Sequence, residues 1–268
     1  MSDRIIMLGT GHAMVTKCYN TCFLLDNGEE YLLVDAGGGN QILAQLEKAN
    51  VNICDIHYMF VTHSHTDHVL GVVWVIRKIA TMMKQGRYDG DFVVFCHDEC
   101  KDTIMSLCEL TLMKKQFQMI GDRIFIDEVK SQEVLNLPGM TLEFFDIAST
   151  KKKQFGVNVV FESGTSLTCL GDEPYHDVCR EYVQNCDWLL CEAFCLFDER
   201  DKFKPYEKNH STVKDAAEIA ADFGVKNVVM YHTEDSHIRN RKLLYTQEAQ
   251  RYFDGGVYVP DDLDEIIL

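Results

Sequence analysis

Any fold adopted by this chain must hold three imidazoles and a carboxylate close together. In Thr62-His63-Ser64-His65-Thr66-Asp67-His68, four metal-ligand side chains, His63, His65, Asp67 and His68, fall within six consecutive residues. Tyr58-Met59-Phe60-Val61 before it reads as a short buried strand, and Val69-Leu70-Gly71-Val72-Val73-Trp74-Val75-Ile76 after it opens an apolar helix. The histidines therefore lie on a strand-to-helix loop, where a rigid scaffold leaves side chains free to bind. A lone histidine is more often a structural residue. Four ligand side chains this close ask for a cation, and imidazole with carboxylate suits zinc, iron or manganese.

The 268 residues are 46% hydrophobic, enough for a sizeable core, and no linker, low-complexity stretch or internal repeat divides them. A single domain over residues 1–268 is expected. The short apolar run Ile5-Ile6-Met7-Leu8 is not a signal sequence, and no run reaches membrane-spanning length, so the chain reads as soluble and cytoplasmic with no membrane partner. Eleven cysteines occur, with Cys18/Cys22, Cys96/Cys100 and Cys191/Cys195 each spaced i, i+4 and none in a CxxC pair. They read as reduced thiols packed like small hydrophobes. With 26 basic and 42 acidic residues the net charge is −16, which repels polyanions and disfavours extended nucleic acid. A small phosphate-bearing substrate stays open, because bound cations invert the field inside a pocket.

Residues 5–11 read as a strand and Gly-bearing turn, and 22–25 and 31–34 as strands with Asn27-Gly28 as a tight hairpin turn between them. Asp35 to Gly39 leads into a helix carrying Ile42, Leu43 and Leu46. Strands are expected at 92–95 and 124–126, with one helix over 99–117 between them. Further strands are expected at 142–147, 157–161, 166–170, 188–191 and 228–231, with Ser163-Gly164 as a turn. Residues 212–223 form an alanine-rich helix stopped by Gly224. Strands followed by helices in both halves predict two sheets packed face to face with helices outside.

Several downstream residues extend the histidine loop into an ordered series. Asp35 stands in Leu33-Val34-Asp35-Ala36-Gly37, Asp172 in Gly171-Asp172, and His232 ends Met230-Tyr231-His232; Glu192-Ala193 and His210-Ser211-Thr212 lie between. On this series the chain resembles the metallo-β-lactamase superfamily, and within it the ribonuclease Z-like phosphodiesterase branch, nearly end to end. The resemblance implies an α/β (α+β) fold, a four-layer αββα sandwich. It implies two divalent metal ions, most readily Zn2+ with Mn2+ or Fe2+ as alternatives. His63 and His65 would hold the first, Asp67, His68 and His232 the second, and Asp172 would bridge both. Two such cations share a bridging water whose pKa falls toward about 7, so a hydroxide nucleophile exists at neutral pH. Asp67, Glu192 and His210 are the implied catalytic residues, with His210, oriented by Glu192, protonating the leaving alkoxide. A homodimer is expected from the same resemblance.

One position departs from the pattern. A histidine completing the first metal's shell is expected after strand 142–147, where the chain reads Asp146-Ile147-Ala148-Ser149-Thr150. Ala148 fills that slot, a methyl donates nothing to zinc, and neutral hydroxyls at Ser149 or Thr150 are poor substitutes. The first site is therefore expected to be weakened. A natural alteration and a deliberate His-to-Ala change both account for this, and the intact remainder of the series favours the second.

Ribonuclease Z enzymes that cut transfer RNA precursors carry a projecting arm rich in Gly, Pro and basic residues, and this sequence has no such insertion. Compact members of the branch open cyclic nucleotides, including phage proteins that destroy cyclic pyrimidine nucleotide signals. A small phosphodiester such as a cyclic nucleotide is thus the expected substrate, with Lys151 of Lys151-Lys152-Lys153 as a candidate phosphate contact at the rim. The rival readings are a tRNA 3′-processing endonuclease, a lactone or thioester hydrolase, and a binding module that has lost turnover.

Overall fold

The computed structural model describes residues 3–268. Its first half runs β1 (Arg4–Gly9), β2 (Cys22–Asp26), β3 (Tyr31–Val34), α1 (Gln41–Lys48), β4 (Tyr58–Val61), α2 (Thr66–Lys84), β5 (Phe92–Cys96), α3 (Asp98–Thr111), α4 (Lys114–Phe117) and β6 (Ile124–Glu128). The second half runs β7 (Val134–Leu137), β8 (Met140–Asp146), β9 (Phe155–Phe161), β10 (Ser166–Cys169), α5 (Arg180–Val183), β11 (Trp188–Glu192), α6 (Arg200–Phe203), α7 (Val213–Asp222), β12 (Asn227–Tyr231), α8 (Arg241–Ala249), β13 (Gly256–Tyr258) and β14 (Glu265–Ile267).

Two seven-stranded sheets result, ordered β14-β1-β2-β3-β4-β5-β6 and β13-β12-β11-β10-β9-β8-β7. In each sheet one side pairs antiparallel and the other parallel, the change coming at β3 and at β10. Alternation along the strands explains the layering. Ile5, Met7, Phe23 and Leu25 face Leu142, Phe144, Val157 and Leu190 across the gap between the sheets. Their neighbours Ile6, Leu8 and Leu24 point the other way, to Val72, Val75, Ile76 and Ile79 on α2. Leu189, Cys191 and Met230 meet Ala216, Ala217 and Ala220 of α7 on the far side. Three apolar layers of this kind make the αββα sandwich that the sequence implies.

Several local expectations are corrected. The helix expected over 99–117 breaks into α3 and α4, because Leu112 and Met113 adopt extended backbone, with ψ of 148° and 143°. Leu112 is thereby turned into the core. The hairpin between β2 and β3 is not a two-residue turn. Gly28 alone takes positive φ, 84°, while Asn27 Oδ1 accepts the amides of Glu29 and Glu30 and builds a wider loop. β7, β13 and β14 carry no strand signal in the sequence reading. Thr212 caps α7 reciprocally with Asp215, and Gly224 at φ 63° follows the helix as expected. Among the described residues no cysteines pair in a disulfide, and no helix is long and apolar enough to cross a membrane.

Candidate metal centre

The ends of β3, β4, β8, β10, β11 and β12 meet at one edge of the sandwich, and every residue of the ordered series sits there. The backbone there is unusual. Asp35, Ala148 and His232 adopt left-handed conformations, with φ of 55°, 58° and 56°, and Gly171 before Asp172 has φ of 80°. Asp, Asn and His tolerate this region best among residues with a side chain, and a plain methyl residue gains nothing from it. Gly71 on α2 has a different duty. A Cβ there would come within 1.8 Å of the Ala36 carbonyl oxygen, and its amide donates to Gly37 O at 2.8 Å. This close approach locks the first turns of α2, which carry Asp67 and His68, to the loop bearing Asp35.

His63, His65 and Asp172 bring ligand atoms within 4.8 Å of one another, and so do Asp67, His68 and His232. Asp172 Oδ2 stands between the two groups, 3.5 Å from His63 Nε2, 3.6 Å from His68 Nε2 and 3.6 Å from His232 Nε2. His68, His63 and His232 each have the other ring nitrogen committed. His68 Nδ1 lies 2.7 Å from Asp35 Oδ2. The Thr62 hydroxyl donates to Asp35 at 2.8 Å, so it accepts from His63 Nδ1 at 2.9 Å. The Thr21 hydroxyl donates to Gly11 O, so it accepts from His232 Nδ1 at 3.2 Å. These contacts fix all three tautomers with Nε2 free for a metal. His65 presents Nδ1, 2.9 Å from His63 Nε2.

The electrostatics fit a cation. Burial acts to raise the Asp172 carboxyl, but His63, His232 and His68 outweigh it and hold it well below the ordinary carboxylate range. Asp67 is lowered too, against burial, chiefly by His68. Burial disfavours a charged His68, yet Asp67 and Asp35 hold its pKa well above the ordinary histidine value. Positive charge is thus favoured where the carboxylates converge. Burial pushes His63 down to about 4, which keeps it a neutral ligand at pH 7. Asp172 Oδ1 and His68 Nε2 are buried with no hydrogen-bond partner among the described residues, and a divalent ion satisfies such atoms.

The remaining residues of the series lie around a cleft of about 410 Å³ lined by His12, His65, Asp67, Lys151, Asp172 and His210 among others. His210 Nδ1 is 3.6 Å from Glu192 Oε2, and its ring lies flat on Phe194, centroids 4.9 Å apart at 10°. Glu192 is anchored by the Ser211 amide on Oε1 and by the Ser211 hydroxyl on its carbonyl. Burial raises its carboxyl above the ordinary value against the pull of His210 and Ser211. Of the three lysines, Lys151 and Lys152 line the cleft, while Lys153 is held by Asp98 at 2.5 Å. Ala148 is exposed and its amide donates to Asp146 Oδ1. The Ser149 hydroxyl is turned to Glu173 at 2.6 Å and the Thr150 hydroxyl accepts from Asn209, so neither faces His63.

One cleft residue, His12, and one buried neighbour of Asp172, Glu173, carry no spacing signal in the sequence. His12 lines the cleft and packs on Phe194, centroids 4.6 Å apart, with its pKa pushed down to about 4 by burial and then by His210 and Lys208. Its only signal is the Gly9-Thr10-Gly11-His12 loop leaving β1. Glu173 follows Asp172 directly and is buried, its Oε2 lying 3.5 Å from His176 Nε2.

The protein family described as anti-Pycsar protein Apyc1 matches residues 3–251. The chain belongs to that family. It is also similar to the ribonuclease Z of Ignicoccus hospitalis, 26% identical over 275 residues and 88% of each chain, and to that of Thermobifida fusca, 26% identical over all of this chain and 96% of the relative. Among solved structures, the metallo-β-lactamase fold protein YhfI from Bacillus subtilis superposes with a TM-score of 0.80 at 15% identity, covering 99% of both chains. The short form of human tRNase Z gives 0.75 at 20% identity, covering 98% of both. These two likenesses establish the fold. This member of the Apyc1 family is a metallo-β-lactamase superfamily hydrolase of the ribonuclease Z-like branch, with the architecture of a two-metal site.

Proposed function

We propose that the chain is a two-metal phosphodiesterase acting on a small phosphodiester, with a cyclic nucleotide as the substrate class. The observation that carries this reading is the position of Asp172 Oδ2, equidistant within 0.1 Å from imidazoles of both ligand groups. His63 and His65 would hold one ion and Asp67, His68 and His232 the other, with Asp172 placed to serve both. The imidazole and carboxylate donors suit Zn2+, with Mn2+ or Fe2+ as alternatives. The chemistry that such ions would supply when bound is activation of water and neutralisation of phosphoryl charge. Lys151 and Lys152 draw the phosphate to the rim and hold it. His210, with Nδ1 toward Glu192, presents Nε2 to the cleft and delivers a proton to the departing sugar oxygen. Phe194 stacks on that ring, and Glu192 faces it from 3.6 Å.

Membership in the anti-Pycsar family, the cleft volume and the net charge of −16 all favour a small ligand over a folded RNA. The ribonuclease Z likeness keeps a tRNA precursor as the rival substrate. Purified chain and its Ala148→His form, loaded with zinc or manganese, are to be assayed on cyclic mononucleotides, bis(p-nitrophenyl) phosphate, a lactone and a tRNA precursor. Ring opening of a cyclic nucleotide, lost in Asp172→Asn, is the expected result. Turnover confined to the tRNA or the lactone overturns the substrate assignment. Tight binding without turnover by both forms identifies a binding module instead.

A further inference from the structure

Outside the cleft, Glu199, Glu234 and His237 place three more ligand atoms within 4.8 Å of one another. Glu234 lies on the loop after β12, two positions beyond His232, and is 3% exposed. Its amide donates to Phe194 O at 2.8 Å. Its Oε2 accepts the Ser236 amide at 2.5 Å, while its Oε1 is buried and finds no hydrogen-bond partner among the described residues. His237 Nε2 lies 2.9 Å from Glu199 Oε2, and Lys202 approaches the other Glu199 oxygen at 3.3 Å.

An ion pair between His237 and Glu199 accounts for the 2.9 Å contact and nothing more. It leaves the Glu234 carboxylate oxygen buried without a donor, which is costly for a charged group. A cation facing all three side chains satisfies that oxygen and uses His237 as a neutral ligand. We propose that Glu199, Glu234 and His237 bind a third divalent cation, separate from the pair at Asp172. One imidazole with two carboxylates selects a transition ion such as Zn2+ or Mn2+ over Ca2+ or Mg2+, which favour all-oxygen shells. This ion joins the residue 197–203 segment, which leads into the loop of His210, to the loop that carries His232. It is therefore a positioning ion, clamping two strand-end loops from behind the cleft.

The test is metal content per folded chain, measured by elemental analysis after loading with Zn2+ or Mn2+ and dialysis. His237→Ala and Glu199→Gln are each expected to hold one equivalent less than the starting protein and to keep the ions at Asp172. The Asp172→Asn/His232→Ala double variant is expected to retain one equivalent that disappears when His237→Ala is added. Anomalous diffraction at the metal edge of the starting protein is expected to show a peak among the three side chains. Circular dichroism confirms that each variant is folded, and Glu199→Gln, at a partly exposed position, serves if His237→Ala does not fold. Unchanged metal content in the folded single variants overturns the site, as does complete loss of metal in the Asp172→Asn/His232→Ala form. Neither result counts against the two-metal reading, which is judged by the ions kept at Asp172 in the single variants.

Discussion

Three of the imidazoles around Asp172, His63, His68 and His232, are oriented by partners that are not themselves ligands, so the weakest point of the centre lies one bond away from it. Asp35 accepts from His68 and from Thr62, and through Thr62 it also steers His63. Asp35→Ala removes both restraints and leaves two rings free to turn. Metal affinity is expected to fall by ~10–100-fold, read by competition with a chromophoric chelator; affinity within twofold of the starting protein would show that the rings are held by other means. Ala148 gives the opposite experiment. Its left-handed backbone suits histidine better than alanine, so Ala148→His is expected to raise metal content and hydrolysis together. Unchanged stoichiometry and rate in that variant would sink the idea of a missing ligand. The thiols offer a pH prediction. Burial pushes Cys108, Cys179, Cys186 and Cys195 up to about 12, so at pH 8 only about one in 10⁴ of each is thiolate. Iodoacetamide is expected to leave these four unmodified until the chain unfolds, as peptide mass mapping will show. At this scale the sequence was most legible where ligands crowd together, as at His63 to His68. His12 escaped because a single histidine on a glycine turn has no spacing partner, and only the folded chain brings it to His210.

Elements are legible when their residues repeat a period, and less so when tertiary contacts impose the shape. α2 shows its apolar stripe from Val72 to Ile79 in the sequence and forms as expected. The break between α3 and α4 has no proline or glycine to announce it, since it exists to turn Leu112 inward. β7, β13 and β14 are three or four residues long and half exposed, too short for alternation to stand out. The contact of α2 with the loop after β3 is the element-scale feature on which the centre depends. Gly71→Ala drives a methyl into the Ala36 carbonyl, and the helix must move to accommodate it. A loss of about 2–4 kcal/mol in denaturant melts is expected, together with weaker metal binding, because Asp67 and His68 move with the helix. Full stability in this variant would mean that α2 shifts freely and that its docking does not set the site.

Across the whole molecule, the ligands are divided between the two sheets. His63, His65, Asp67 and His68 come from the loop after β4, and Asp172 and His232 from loops after β10 and β12. Metal bound there would therefore fasten one half of the sandwich to the other. Stripping it with a chelator is expected to lower Tm by about 5–15 °C, the shift that ~2.7–4 kcal/mol of ligand stabilisation gives in a large domain. Calorimetry should record one transition with and without metal, since the sheets share the apolar layer around Phe60, Phe144 and Tyr231. Two separated transitions on metal removal would show that the halves melt independently. The layered architecture was legible from strand-helix order, but the route of the chain was not, because nothing in residues 265–267 announces where that strand pairs. β14 lies beside β1, with Ile267 opposite Arg4 and Ile266 opposite Ile5. On the ribosome, the first sheet thus waits for its edge until synthesis has passed Ile267, long after its other six strands have emerged. Nascent chains halted before that point present the outer edge of β1 unpaired, and their contacts with chaperones should persist until the final strand arrives.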